Sequence, residues 1–574
     1  MPEDLPAVAG PRSRFSSFYP IILLVAVLAN SAPAQISGLI TGQVVDDATS
    51  QPIAGARVHE QAVPTAQIVV TDEQGRFELP VPPGASNVAI AAALTYDPDT
   101  PAQYRTDVVS ASEGDDVEIR LEPIPGLENL EYQPIVSTDG CRNCHADHWD
   151  EWQRSNHAGA AVNALVRDLY SGDGTGDGTG ASAEGYVFTA VHDAEDSGFC
   201  AVCHAPNERP DDPGAVKFNE VASAPGLDGV TCTSCHQLHR VSDDIQAIHL
   251  LGNAEFRFPL SFRGNSAATE EHVWGPLDDV GFDRMRAAYA PVFSSSKFCA
   301  SCHQYQNPFT GAPGQATYEE WQQSPAAAAG IHCQHCHMPI AVGSGTVSTN
   351  GQAVERPAEQ RHDHSFHGVY SGVFDAPVEV EMSVNVEAGS VVVDTSVRNL
   401  LQGHNWPTGV DVRNAFLVVD VSLNGQALNQ IAGDRVPDWA SDDVDGRQDG
   451  DFGGLAGRGY ARVLEGRING EGEPISPVSF IDADTLIASS TIPPGAVESA
   501  DFTFGLPSVV TPGDEIVARA RVIYRRAWRA IAVTKDWPDV VQDEPFERLV
   551  IDMQRTHALT AGEIDILFAN GFEP

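Results

Sequence analysis

Five copies of Cys-x-x-Cys-His occupy the middle of this 574-residue chain, at Cys141–His145, Cys200–His204, Cys232–His236, Cys299–His303 and Cys333–His337. Together they use all ten cysteines. In this pentapeptide the two thiols can form thioether bonds to the vinyl groups of a haem, while the adjoining imidazole reaches the iron. Cys141, Cys144, Cys200, Cys203, Cys232, Cys235, Cys299, Cys302, Cys333 and Cys336 are therefore read as covalent attachment points. His145, His204, His236, His303 and His337 become the proximal iron ligands, and five covalently bound haem c groups follow. A lone Cys-x-x-Cys fits a redox pair or half a zinc site as well. Zinc ribbons, however, do not require a histidine after every second cysteine, and disulfide scaffolds do not repeat one local spacing throughout.

Haems held in this way supply much of a core, so weak hydrophobic periodicity is expected around the motifs. The chain is long enough for about three domains. Lys+Arg 34 against Asp+Glu 79 gives a formal charge of -45, which disfavours nucleic acid as a partner. It suits a soluble exported protein and a redox partner with a basic docking patch, or simply a solvated acidic surface. Arg12 and Arg14, the apolar run Ile21 to Ala29 and Ala32-Pro33-Ala34 read as a signal peptide cleaved after Ala34. An uncleaved anchor is the alternative. No later run reaches the roughly 18 apolar residues of a membrane span. The mature protein is thus expected in the periplasm, outside the cell or on the surface of a bacterium, with no stable membrane span. Its oligomeric state is left open.

Residues 35–122 read as short strands: Gly42 to Asp46, Pro52 to Val58 and Thr71 to Leu79, separated by turn residues. The pattern resembles the carboxypeptidase regulatory-like, prealbumin-type domain, a module that is usually accessory. His59 is read as a surface residue.

Residues 123–375 are poor in strand patterns and hold an internal repeat. Phe199 to His204 followed by Gly229-Val230-Thr231-Cys232 is echoed by Phe298 to His303 followed by Gly330-Ile331-His332-Cys333. Trp152-Gln153-Arg154-Ser155 is echoed by Trp321-Gln322-Gln323-Ser324, with His157 in the first copy where the second has Ala326. These features, with Met338-Pro339 and the His-rich Arg361 to His367 stretch, resemble the multihaem cytochrome c superfamily that includes hydroxylamine oxidoreductase and its tetrahaem electron acceptor. The resemblance implies closely spaced haems, most with two histidine ligands.

Each iron needs a sixth ligand or water. His157 is the foremost candidate through its motif, followed by His364 and His367, then His192, His239, His249, His272 and His404. Met285 stands where the family often has a histidine, and a thioether there would raise that haem's potential. His148, His332 and His335 sit too close to attachment cysteines to cap their own haem.

Ser171 to Gly180 is low-complexity and reads as an insertion loop. After Phe374 strands return: Val391 to Val397, Phe416 to Val421 and Ile516 to Tyr524. The stretch Gly403-His404-Asn405-Trp406-Pro407-Thr408-Gly409 resembles a motif that accompanies multihaem modules in large exported cytochromes. Asp442, Asp443, Asp445, Asp449 and Asp451 read as a solvated acidic loop. The chain is therefore read as multidomain: signal peptide 1–34, N-terminal β-sandwich 35–122, a mostly α or irregular pentahaem cytochrome c domain 123–375, C-terminal β-sandwich 376–536 and tail 537–574. The expected function is electron transfer between other redox proteins. The alternative is an oxidoreductase acting on a small nitrogen or sulfur compound at one haem with an open distal face. The pentahaem nitrite reductases use a lysine in one motif, whereas all five motifs here end in histidine.

Overall fold

The structure is a computed structural model describing residues 38–94, 104–124, 139–172, 186–192, 198–209, 215–241, 254–256, 271–281, 285–307, 309–349, 353–369, 376–387, 389–442, 446–537, 539–541 and 544–569. The expected signal peptide and most of the Ser171 to Gly180 loop lie outside these residues. Among the described residues, no helix is long and apolar enough to cross a membrane.

At the N-terminal end, Gly38–Asp46 runs antiparallel to Arg76–Val81 and parallel to Asp116–Leu121. A second sheet orders Val69–Val70, Arg57–Glu60, Val88–Ala93 and Asp107–Ala111. Alternation builds the core: Phe77, Leu79 and Val81 turn inward from one strand and meet Ile40, Val58, Ile90 and Ile119 between the two sheets. Two details differ from the sequence reading. The second strand begins only at Arg57. Asp72 to Gly75 is a turn, because Asp72 Oδ1 accepts from the N–H groups of Gln74 and Arg76, at 2.9 and 2.8 Å. Gly75 completes it at φ +69°, where a Cβ would lie 2.5 Å from the Val44 carbonyl oxygen.

This sandwich is fastened to the segment that follows Trp274. Arg57 Nε and His59 Nε2 each lie 2.9 Å from the Asp278 carboxylate. Gln61 Nε2 donates to the Asp279 carbonyl and the Ala62 N–H to its carboxylate, both at 2.7 Å. Arg356 grips Asp279 as well. His59, expected at the surface, is 6% exposed because it is the buried half of this contact. Burial opposes its charge, but the hydrogen bond and charge of Asp278 outweigh burial and raise its pKa. Burial likewise opposes the charge on Asp278, yet His59 and Arg57 bring that carboxyl down to about 2. The sign follows by linkage. The His59 contribution is complete below the ordinary imidazole value of about 6.5 and is lost as pH rises through the raised one. The Asp278 contribution is lost as pH falls towards 2. Thermal unfolding of the holoprotein is expected to show a transition of this sandwich that weakens on the alkaline side. In His59→Gln that pH dependence should flatten.

The central region consists of short helices, 3₁₀ turns and two-stranded ribbons. Every motif is carried on a helix of a few residues: Asp139–Arg142 leads into the first, and Phe199–His204, Cys232–His236, Ser296–His303 and Cys333–His337 hold the rest. Helices this short are marginal alone and depend on caps and tertiary attachment. Thr231 and Ser234 form a capping box on one, and the Ser295 side chain caps another. The internal repeat is a repeat of hydrogen bonds. Trp152 Nε1 donates to the Val230 carbonyl at 2.8 Å, and Trp321 Nε1 to the Ile331 carbonyl at 2.9 Å. The Val230 N–H reaches the His157 carbonyl at 3.0 Å, as the Ile331 N–H reaches that of Ala326 at 2.9 Å. His157 and Ala326 are thus equivalent positions, and only the first carries an imidazole.

The C-terminal part is a second two-sheet stack. One sheet orders Val378–Glu387, Ser390–Asn399, Val497–Gly505 and Gln430–Gly433. The other runs Ala483–Ser489, Gly457–Gly466, Asn414–Leu423, Glu515–Arg525 and Glu547–Ala558. Val391, Val393, Leu417, Val419, Phe502, Ala520 and Val522 close between them. The last strand falls within the residues read as a tail. It is an edge strand with mostly exposed or half-buried side chains, and such a strand shows little hydrophobic alternation in sequence. Asp451, read as solvated, is instead 7% exposed, because Arg529 Nε turns in to 2.9 Å from its carboxylate. The stack also holds the central region: Gln315 bridges to Val410, and Trp537 Nε1 donates to Asp168 Oδ2 at 2.6 Å.

Candidate haem-binding site

The five motifs gather into one cluster. Cys141 of the first lies against Cys232 of the third, Cys203 of the second against Cys302 of the fourth, and Cys299 of the fourth against Cys333 of the fifth. Cys235 of the third lies close enough to influence both Cys299 and Cys302. The spatial order is therefore first, third, fourth, with the second and fifth branching from the fourth. Burial pushes the Cys200 and Cys235 thiols up to about 12. Those two thiols are protonated at neutral pH, while the neighbouring Cys299 thiol takes Cys333 down to about 7.

Three of the five motif histidines share one device. His145 Nδ1 sits 2.6 Å from the Val347 carbonyl, His236 Nδ1 2.7 Å from that of Trp274, and His337 Nδ1 2.5 Å from that of His367. A carbonyl at Nδ1 fixes the proton there and leaves the Nε2 lone pair for a metal. His303 Nδ1 faces the Gln315 side-chain amide at 3.1 Å. An amide presents its oxygen or its nitrogen by a half-turn, so Gln315 can accept in the same way. Burial holds these imidazoles neutral: His204, His236 and His337 are lowered, and His303 is lowered to about 3.

Second imidazoles meet two of them. An iron bonded to two ring nitrogens at about 2 Å each separates the ring centroids by about 6 Å. His157 and His303 stand 6.2 Å apart, as do His337 and His404. Burial takes both His157 and His404 down to about 4. His404 turns its Nδ1 to the Asn405 carbonyl at 2.9 Å, which again leaves Nε2 as the donor. At the other end, His364 and His148 lie 4.7 Å apart beside His145 and His236, with Glu151 Oε2 accepting from the His364 N–H at 3.0 Å. These donors fit haem groups bound through two thiols and two imidazoles.

The remaining candidates fall elsewhere. His367 contributes its carbonyl to His337, while its ring faces Asp363 at 3.6 Å. His192 stacks on Phe309 at 3.9 Å and against Phe188 at 4.3 Å. His332 and His335 cap the fifth motif helix. The backbones of His239, His272 and Met285 lie in strands Leu238–Val241, Glu271–Gly275 and Met285–Tyr289, but their side chains lie outside the description, as does all of His249. His362, which sequence reasoning did not single out, has Nδ1 2.7 Å from the Met338 carbonyl, the same arrangement as the motif histidines. Its only signal was membership of the His-rich stretch.

Among solved structures the chain is similar to a penta-heme cytochrome c552 from Thermochromatium tepidum, with 20% identity and a TM-score of 0.48 over 74% of this chain and 99% of that one. No match is found among curated proteins. Residues 140–237 match the family of cytochrome c554 and c-prime. That stretch holds the first three motifs together with Trp152 and His157. The likeness to cytochrome c554 and c-prime is carried by this stretch of the chain.

Proposed function

We propose that the chain is an exported c-type cytochrome that holds five haems and carries electrons between redox partners. The observation that carries this reading is the clustering of all five motifs, with thiols of the first and third, the second and fourth, and the fourth and fifth lying against one another. Bound haem supplies reversible one-electron chemistry at iron. The chain's own residues set where that chemistry sits. The ten cysteines anchor the groups, carbonyls orient the motif imidazoles, and His157 and His404 supply sixth ligands opposite His303 and His337. The charge of -45 selects a partner with a basic patch, so association should slow as salt is raised. Export rests on the signal-like sequence before Ala34.

One observation favours the alternative of an open, reactive haem. The ring set against His204 is Phe218, at 5.8 Å, where His303 and His337 meet imidazoles. Adding carbon monoxide to the reduced holoprotein separates the readings. Electron transfer alone expects no adduct, whereas an adduct at one haem supports reaction with a small molecule there.

A further inference from the structure

Beside the fourth motif lie a buried and a half-buried carboxylate that ligation does not use. Asp411 is 2% exposed, and among the described residues neither of its carboxylate oxygens accepts a hydrogen bond. Its charged neighbour is Arg462, with Nε at 3.3 Å. Glu320, on the helix Thr317–Gln322, accepts from Thr408 Oγ1 at 2.6 Å and from the Asn405 N–H at 3.2 Å. Arg462 acts on both carboxylates, and Glu320 acts on Asp411. Two carboxylates against one half-buried guanidinium leave one negative charge unbalanced, and binding a proton resolves it. Burial, opposed by Arg462 and aided by Glu320, takes the Asp411 carboxyl up to about 8. Burial also raises Glu320. The other ionisable groups that face the pair are Glu319 on the same helix, and Tyr305 and Arg413 on the side of the fourth motif.

A chain of hydrogen bonds joins this pair to His303. The Gln315 amide lies 3.1 Å from His303 Nδ1 and 3.4 Å from Thr317 Oγ1. Thr317 Oγ1 lies 3.1 Å from Thr408 Oγ1, which in turn bonds Glu320. His145, His236 and His337 end instead on backbone carbonyls, which cannot titrate.

We propose that Glu320 and Asp411 are a proton-holding pair that gains one proton when the iron at His303 is reduced and releases it on oxidation. This rests on the electron-transfer reading. The electron arrives from a redox partner and takes the iron from ferric to ferrous. The proton comes from solvent, and an O–H bond forms on one carboxylate. The added negative charge at the iron, little screened in the interior, supplies the attraction.

The test is a spectroelectrochemical titration of the holoprotein at several pH values, for the natural chain and for Glu320→Gln and Asp411→Asn. In the natural chain one haem potential should be level at neutral pH and fall above about pH 8 by about 59 mV per pH unit, the value for a tenfold change in a one-electron equilibrium. Each variant should lose that slope. Infrared difference spectra provide a second readout: a protonated carboxyl band should be gained on reduction and be missing in both variants. Potentials independent of pH in the natural chain, or slopes unchanged in both variants, would overturn the proposal while leaving the electron-transfer reading intact. A protein without reversibly reducible haems would overturn that reading itself.

Discussion

Replacing His404 with alanine is expected to leave every covalent haem in place and to open one of them to solvent. His404 belongs to the C-terminal part of the chain, yet its ring lies 6.2 Å from that of His337 and nearly parallel to it, at 20°. Its Nδ1 is occupied by the Asn405 carbonyl, so Nε2 is the atom that faces a metal. Removing it should turn a six-coordinate iron into a five-coordinate one. Carbon monoxide would then bind to one reduced haem beyond any that binds it in the natural protein. The affected potential should move by on the order of 0.1 V or more, within the roughly 0.8 V that axial ligation spans. Unchanged spectra and potentials would remove His404 from the ligand set. Asn405 and Thr408 in the same stretch hold Glu320, so the Gly403 to Gly409 segment also organises that helix.

The second large effect concerns the fourth motif. Its thiols adjoin those of the second, third and fifth motifs, whereas the only intermotif thiol contact described for the first is with the third. Cys299→Ser with Cys302→Ser should therefore divide the cluster. Reduction by an external donor should split into phases that differ widely in rate. The protein should also lose more than ~4 kcal/mol, as expected when a bound prosthetic group is removed from a core. Cys141→Ser with Cys144→Ser removes an end member instead, and the other four haems should still reduce together. Equal kinetics in the two double variants would contradict the branching order.

Attachment was legible because thioether chemistry demands a local pattern, and five pentapeptides state it without reference to the fold. The Trp152 and Trp321 repeat was legible for the same reason, since each indole bonds a carbonyl at a fixed place before a motif. His157 and His404 were both read as candidate sixth ligands, but which motif each one faces was not legible. His157 meets His303 and His404 meets His337 across separations that only tertiary structure closes. His367 shows the converse: a histidine in a promising stretch whose backbone carbonyl, not its ring, serves the neighbouring motif. His59 read as surface because its partner Asp278 lies more than two hundred residues away.

The most direct test of the whole account is the intact mass of the purified protein, measured after treatment with reductant and chelator. The account expects the mature polypeptide plus five haems, with none released. A mass equal to the polypeptide alone, with zinc in the chelate or disulfides reduced, would contradict it.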